Sequence, residues 1–168
     1  LPPGRARPPG LSIRRSAAPI AFAALFALAL GLRLWALDLA PLHQDEGLNG
    51  VLTLAVLRGE PFRYLPTDNH GPLLYHAGAL AFRVFGVCES TLRLGPALAG
   101  ALLALTLLPL RRGMSRPGAF VAGLLVAVAP GFVYFSRAAI HEIYLSLFTA
   151  LWAVSLARFA RRPSRVGA

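Results

Sequence analysis

The chain has 168 residues, 56% hydrophobic and only 14% charged, with a formal net charge of +10. A soluble domain carries about a quarter charged residues, and a single cysteine, Cys88, excludes an internal disulfide. All 17 basic residues are arginines; they cluster beside long apolar blocks, which is the habit of membrane-flanking loops and not of a nucleic-acid surface.

In chain order, residues 1–17 are rich in Pro, Gly and Arg and read as a disordered basic tail. Ala18 to Leu37 is an apolar block broken by one charge, Arg33. It is long enough to cross the hydrocarbon core. It also exceeds a signal-peptide core and lacks a clear cleavage site, so it reads as a retained first span.

The region 38–90 is mixed and holds Asp38, Asp45, Glu46, Glu60, Asp68 and Glu89, six of the seven acidic residues. Within it Leu48, Val51, Leu52, Ala55 and Val56 share one helical face. Gln44, Asp45 and Glu46 precede that face, where a helix N-terminus favours acidic side chains. Gly59 and Pro61 stop it. The spacing predicts an amphipathic helix over about 45–58 lying on the outer leaflet. A second apolar stretch, about 72–87, contains His76 and Arg83, which are costly at mid-bilayer.

Charge decides how that second stretch lies. As a span, it would put Arg111, Arg112 and Arg116 outside while the C-terminal arginines fall inside. As a second interfacial helix, it leaves every arginine cluster cytoplasmic. The expected fold is therefore an all-α integral membrane bundle. Its spans fall at about 18–37, 91–110, 117–136 and 140–158, with an external loop 38–90 and a cytoplasmic tail or truncation point at 161–168. The start on Leu and the loop-like end read as the N-terminal part of a longer protein, inactive as a fragment.

This topology gathers Asp45, Glu46, Asp68, His70, His76, Arg137, His141 and Glu142 at one membrane face. Glu142, Ser146 and Thr149 form a polar stripe on an otherwise apolar span, and an intramembrane carboxylate marks a candidate functional site. Alternatively Glu142 only pairs with Arg137 or caps its helix. The four histidines show no H-x-x-x-H or similar spacing, so no metal site is assigned.

Four segments together carry a resemblance: HQDEGLNG (43–50), NHGPLLYH (69–76), RLGPALAG (93–100) and SRAAIHE (136–142). Their order and spacing resemble the N-terminal part of the GT-C glycosyltransferases of the protein O-mannosyltransferase and aminoarabinose-transferase type (glycosyltransferase 39/83). They are most similar to a prokaryotic branch of flippase-activity-associated membrane proteins. Family members often carry Asp at the position of Glu142 and H-P-P where this chain has His70-Gly71-Pro72.

The resemblance implies an inverting hexosyltransferase at the extracytoplasmic face of the cell inner or plasma membrane. A polyprenyl-phosphate-linked sugar would be the donor and a protein or glycolipid the acceptor, with membrane lipid around it and no nucleic acid. Asp45 would be the catalytic base, supported by Glu46 and Glu142. Arg137 would hold the phosphate, with Arg63 or Arg93 as alternatives, and His70, His76 and His141 would complete substrate binding. No cofactor is required; a divalent cation is left open. The competing readings are a lipid-linked-sugar flippase or transporter component, expected to line mid-span with polar residues, and a non-catalytic membrane scaffold.

Overall fold

The computed structural model describes residues 10–61 and 71–160, with the side chains of 10–17 and 110–112 left undescribed. Among the described residues all regular structure is helical. Helix α1 (Gly10–Leu34) is followed by α2 (Gln44–Leu57), α3 (Leu73–Phe85), the short α4 (Glu89–Leu92) and α5 (Leu94–Leu103). A 3-10 turn at Leu108–Leu110 leads to α6 (Arg111–Met114), α7 (Arg116–Val128), α8 (Pro130–Phe135) and α9 (Glu142–Ala160).

The basic N-terminal segment differs from the expected disordered tail over its last part, because α1 begins at Gly10. The helix extends outward past Pro19, which lies inside α1 and removes the one ladder bond that would reach back to Arg15; Leu11 to Ala18 itself contains no Gly or Pro. At its other end α1 closes with Ala36 at φ 47, a left-handed conformation more often given to glycine.

Helix α2 runs where the loop periodicity places it. His43 is its N-cap: the ring accepts from the Asp45 N–H, and the Glu46 side chain returns to the His43 N–H, completing a capping box. Gly59 at φ 81 ends it, with Gly59 N–H donating to Val56 O and Glu60 N–H to Ala55 O, the paired bonds of a Schellman motif. Helix α3 lies against α2 through Leu74, Tyr75, Gly78, Ala79 and Phe82. Gly78 allows the approach: a Cβ there would sit 2.8 Å from the Thr53 methyl carbon.

Two of the expected spans are not continuous helices. In the stretch 91–110, α5 covers ten residues, about 15 Å of rise, half the thickness of a bilayer core. It gives way to turns at Ala104, where the Thr106 hydroxyl takes up the Leu103 carbonyl at 2.7 Å. In the stretch 117–136, Pro130 cannot donate to Val126 and disfavours a helical Ala129, which turns to ψ 124 and splits the segment into α7 and α8. Helix α9 is the one described helix long and apolar enough to cross a membrane.

Packing is close because alanine lines the contacts. Leu25 and Ala29 of α1 meet Ala101, Ala104 and Ala127 in one cluster. Ala99 and Leu103 of α5 meet Ile143 and Leu147 of α9 in a second. Phe82, Leu92 and Ala139 form a third beneath the α2–α3 pair. The outer flank of α9 stays uncovered: Leu145, Phe148, Trp152 and Phe159 are all exposed.

Candidate functional site

The N-terminus of α2, the start of α5 and the turn 136–141 meet at one buried carboxylate. Glu46 is 3% exposed. Its Oε1 accepts from Arg93 Nε at 2.7 Å and from the Ala139 N–H at 2.8 Å. Its Oε2 accepts from the second terminal nitrogen of Arg93 at 2.9 Å and from the His43 N–H at 3.1 Å. Burial alone would raise the Glu46 carboxyl. The hydrogen bonds from Arg93, Ala139 and His43, together with the Arg93 charge, overcome that and hold it below its ordinary value.

Arg93 is equally saturated. Besides the two bonds to Glu46, it donates to Leu37 O at 2.7 Å, Ala40 O at 3.0 Å and Pro41 O at 3.3 Å. A guanidinium has five N–H groups, and these five bonds use them all. Arg93 therefore has no donor left for a phosphate, and Glu46 has no oxygen without a donor. Asn49 adds a further tie, donating to Ala139 O at 2.9 Å. The segment 43–50 is thus stitched to the segment 136–142, some ninety residues away.

Over this frame lies a cavity of about 540 Å³, lined among others by Asp45, Tyr134, Arg137 and Glu142. Two loops far apart in sequence bring their carboxylates to this one space. Asp45 shows 67% of its side chain and Glu142 45%. The Nδ1 of His43 lies 3.6 Å from the Asp45 carboxylate. The same Nδ1 accepts from the Asp45 N–H at 3.4 Å. His141 Nδ1 lies 3.7 Å from Glu142 Oε2, and that oxygen has no hydrogen-bond donor among the described residues. The Ser146 hydroxyl donates to Glu142 O at 2.9 Å. Glu142 and Phe135 also wall a second, more apolar cavity of about 410 Å³ between α8 and α9.

Arg137 is not paired to Glu142. Its guanidinium donates to Leu32 O at 3.1 Å, to Trp35 O and to Ala36 O at 2.9 Å, the carbonyls left free where α1 ends. It borders the cavity while holding that end in place.

One sequence candidate takes another position. His76 sits outside the main cavity: its ring bonds Pro72 O at 2.9 Å, beside Arg83 in a smaller recess on α3. His70, Arg63 and Asp68 lie outside the described residues. Among the described residues no cluster of three metal-ligating side chains occurs.

Sequence reasoning missed the Glu46–Arg93 pair as architecture. The available signal was a lone arginine opening an apolar run, RLGPALAG, which in a low-dielectric interior demands a partner. The same run shows why its glycines matter. A Cβ on Gly100 would fall 2.4 Å from Ser136 Cβ and 2.7 Å from Arg33 Nε.

No curated protein and no solved structure matches the chain. One family does, dolichyl-phosphate-mannose-protein mannosyltransferase, over residues 69–166, which is more than half of the sequence. That span takes in Arg93, Arg137, His141 and Glu142, while the Asp45–Glu46 segment precedes it and is bound to it by the contacts above. The chain belongs to the dolichyl-phosphate-mannose-protein mannosyltransferase family.

Proposed function

We propose that the chain forms the acidic, lipid-proximal part of a GT-C glycosyltransferase that moves a sugar from a polyprenyl phosphate to an acceptor hydroxyl or amine. Proteins of its family are membrane proteins and glycosyltransferases. The finer reading assigns an inverting reaction, an extracytoplasmic active face, about four membrane crossings and a place near the prokaryotic flippase-associated branch.

One observation carries the reading. Asp45 and Glu142 line a single cavity with Arg137 on its wall, although the two carboxylates come from opposite halves of the chain.

In the reaction, Asp45 takes the proton from the acceptor as its oxygen or nitrogen bonds to the anomeric carbon. The bond from that carbon to the phosphate oxygen breaks, and the prenyl phosphate leaves with the electron pair. Asp45 suits the base role because it is exposed to the cavity and carries no arginine partner among the described residues. A positioned base contributes about 10²–10⁴-fold. Glu142, its side chain 45% exposed and lining the same cavity, offers its carboxylate to a sugar hydroxyl. Arg137 places positive charge beside the departing phosphate. Glu46 and Arg93 serve as the frame. The phosphate is delivered on a lipid, so a nucleotide-binding loop is not needed.

The test is Asp45→Asn in the intact protein reconstituted in liposomes, with polyprenyl-phosphate hexoses as donors and mannose tried first. Transfer should fall by about 10²–10⁴-fold while thermal unfolding is unchanged. Full turnover in the folded variant would overturn the assignment.

A further inference from the structure

Arg33 is the most buried cation of the molecule's described residues, with 0% exposure, in the middle of the apolar packing between α1, α5 and α7. An arginine in such a place is expensive unless its donors are met. Its partners are carbonyl oxygens. One terminal nitrogen donates to Ala29 O at 2.8 Å and to Ala127 O at 3.0 Å, and the other reaches Val126 O at 3.5 Å. Its Nε, against Gly100, has no hydrogen-bond partner among the described residues.

The two long-range acceptors are the carbonyls stranded by the Ala129–Pro130 break. In a continuous helix Val126 O would be met by residue 130, but proline has no N–H, and the extended Ala129 carries the following residues away from Ala127 O. Arg33 meets both. Arg137, just beyond α8, does the reverse and meets Leu32 O, Trp35 O and Ala36 O at the end of α1. The two helix ends therefore exchange arginines: α1 sends Arg33 to cap α7, and the turn after α8 sends Arg137 to cap α1. The six residues of α8 lie between these two pins and supply Tyr134 and Phe135 to the cavity wall.

We infer that Arg33, which does not line the cavity, is a positioning residue that sets the location of α8 and of the Arg137 turn by capping the carbonyls stranded at Pro130. The inference rests on the proposed function only for its kinetic consequence; the structural half stands alone. Without Arg33 the α7 end has unmet carbonyls and α8 loses its lower pin, leaving Arg137 to hold the α8 turn against the end of α1.

The experiment is a double-variant cycle on the intact protein in lipid nanodiscs, using Arg33→Met, Pro130→Ala and the pair. Arg33→Met should lower the unfolding temperature. Pro130→Ala restores an N–H that can meet Val126 O, so it should recover part of that loss in the Arg33→Met background while bringing no gain to the wild type. Strictly additive effects would overturn the inference, since variants that share no partner add. If Arg33→Met does not fold, Arg33→Lys carries the same cycle, since an ammonium is a point charge and lacks the planar fork that holds two carbonyls.

Position is read separately in a Cys88→Ser background. Spin labels at Trp35 and Tyr134, both exposed, should give a narrow distance distribution that broadens with Arg33→Lys. An unchanged distribution would overturn the positioning role. With donor and acceptor supplied, Arg33→Lys should raise the donor KM roughly tenfold with a smaller fall in kcat, the mark of weakened ground-state binding. A wild type inactive toward every donor defeats the proposed function alone, because the cycle and the distance measurement still decide the role of Arg33.

Discussion

Asp45 and Glu46 are adjacent carboxylates in opposite circumstances. Glu46 is enclosed, with every oxygen matched by a donor from Arg93, Ala139 or His43. Asp45 lines the cavity and carries no arginine partner among the described residues. The same division separates the arginines: Arg93 is spent entirely on the protein, while Arg137 holds a helix end from the cavity wall. Polar groups fully met by their own chain build the frame. Those left with solvent or an unmatched lone pair are the ones available to a substrate.

That comparison can be broken on the frame first. Removing one partner of a buried ion pair costs about 3–5 kcal/mol, because the other charge is left unmet. Glu46→Ala or Arg93→Ala should lose that much in reversible unfolding, and the paired change Glu46→Leu/Arg93→Met should lose much less. Equal losses for single and paired changes would mean the pair is not the joint described here. Gly100→Ala comes next. Its new methyl meets Ser136 and Arg33, and overpacking of this kind costs about 1–3 kcal/mol. Gly47→Ala, in helix α2 with open space around it, should instead gain about 0.5–1 kcal/mol. On the cavity side, Asp45→Asn should shift stability by no more than about 0.5 kcal/mol, whatever it does to transfer.

Acid sharpens the same contrast. The folded Glu46 carboxyl titrates below its ordinary value, so its ionised form stabilises the fold fully above the ordinary carboxylate range. That contribution is lost as pH falls below that range and through the lower folded value. Melting temperature should therefore decline on this acid limb, and Glu46→Gln should flatten it. An acid limb identical in Glu46→Gln would show that Glu46 is not linked to stability.

Much of the layout could be read from the chain. The capping segment before α2, the Gly59 stop and the apolar blocks all depend on neighbours within one or two turns, which spacing exposes. The shared cavity of Asp45 and Glu142 followed from grouping loops by arginine balance. What escaped were features that only tertiary contact defines. Glu46 meets Arg93 across forty-seven positions, and nothing local distinguishes it from the exposed acid beside it. Arg33 could be seen as an oddity in an apolar block, but its acceptors exist only because Pro130 strands them. Pro130 itself was in plain view within residues 117–136. Its missing N–H divides that stretch into two helices, a break that apolar length alone does not reveal.

The uncovered flank of α9 has a practical consequence at the bench. A ridge bearing Leu145, Phe148, Trp152 and Phe159 cannot stay wetted for long. On dilution out of detergent, copies should stick to one another along it. Large particles eluting early from a sizing column under those conditions would report greasiness, not a native oligomer, and subunit number is best counted with the ridge still coated in amphiphile.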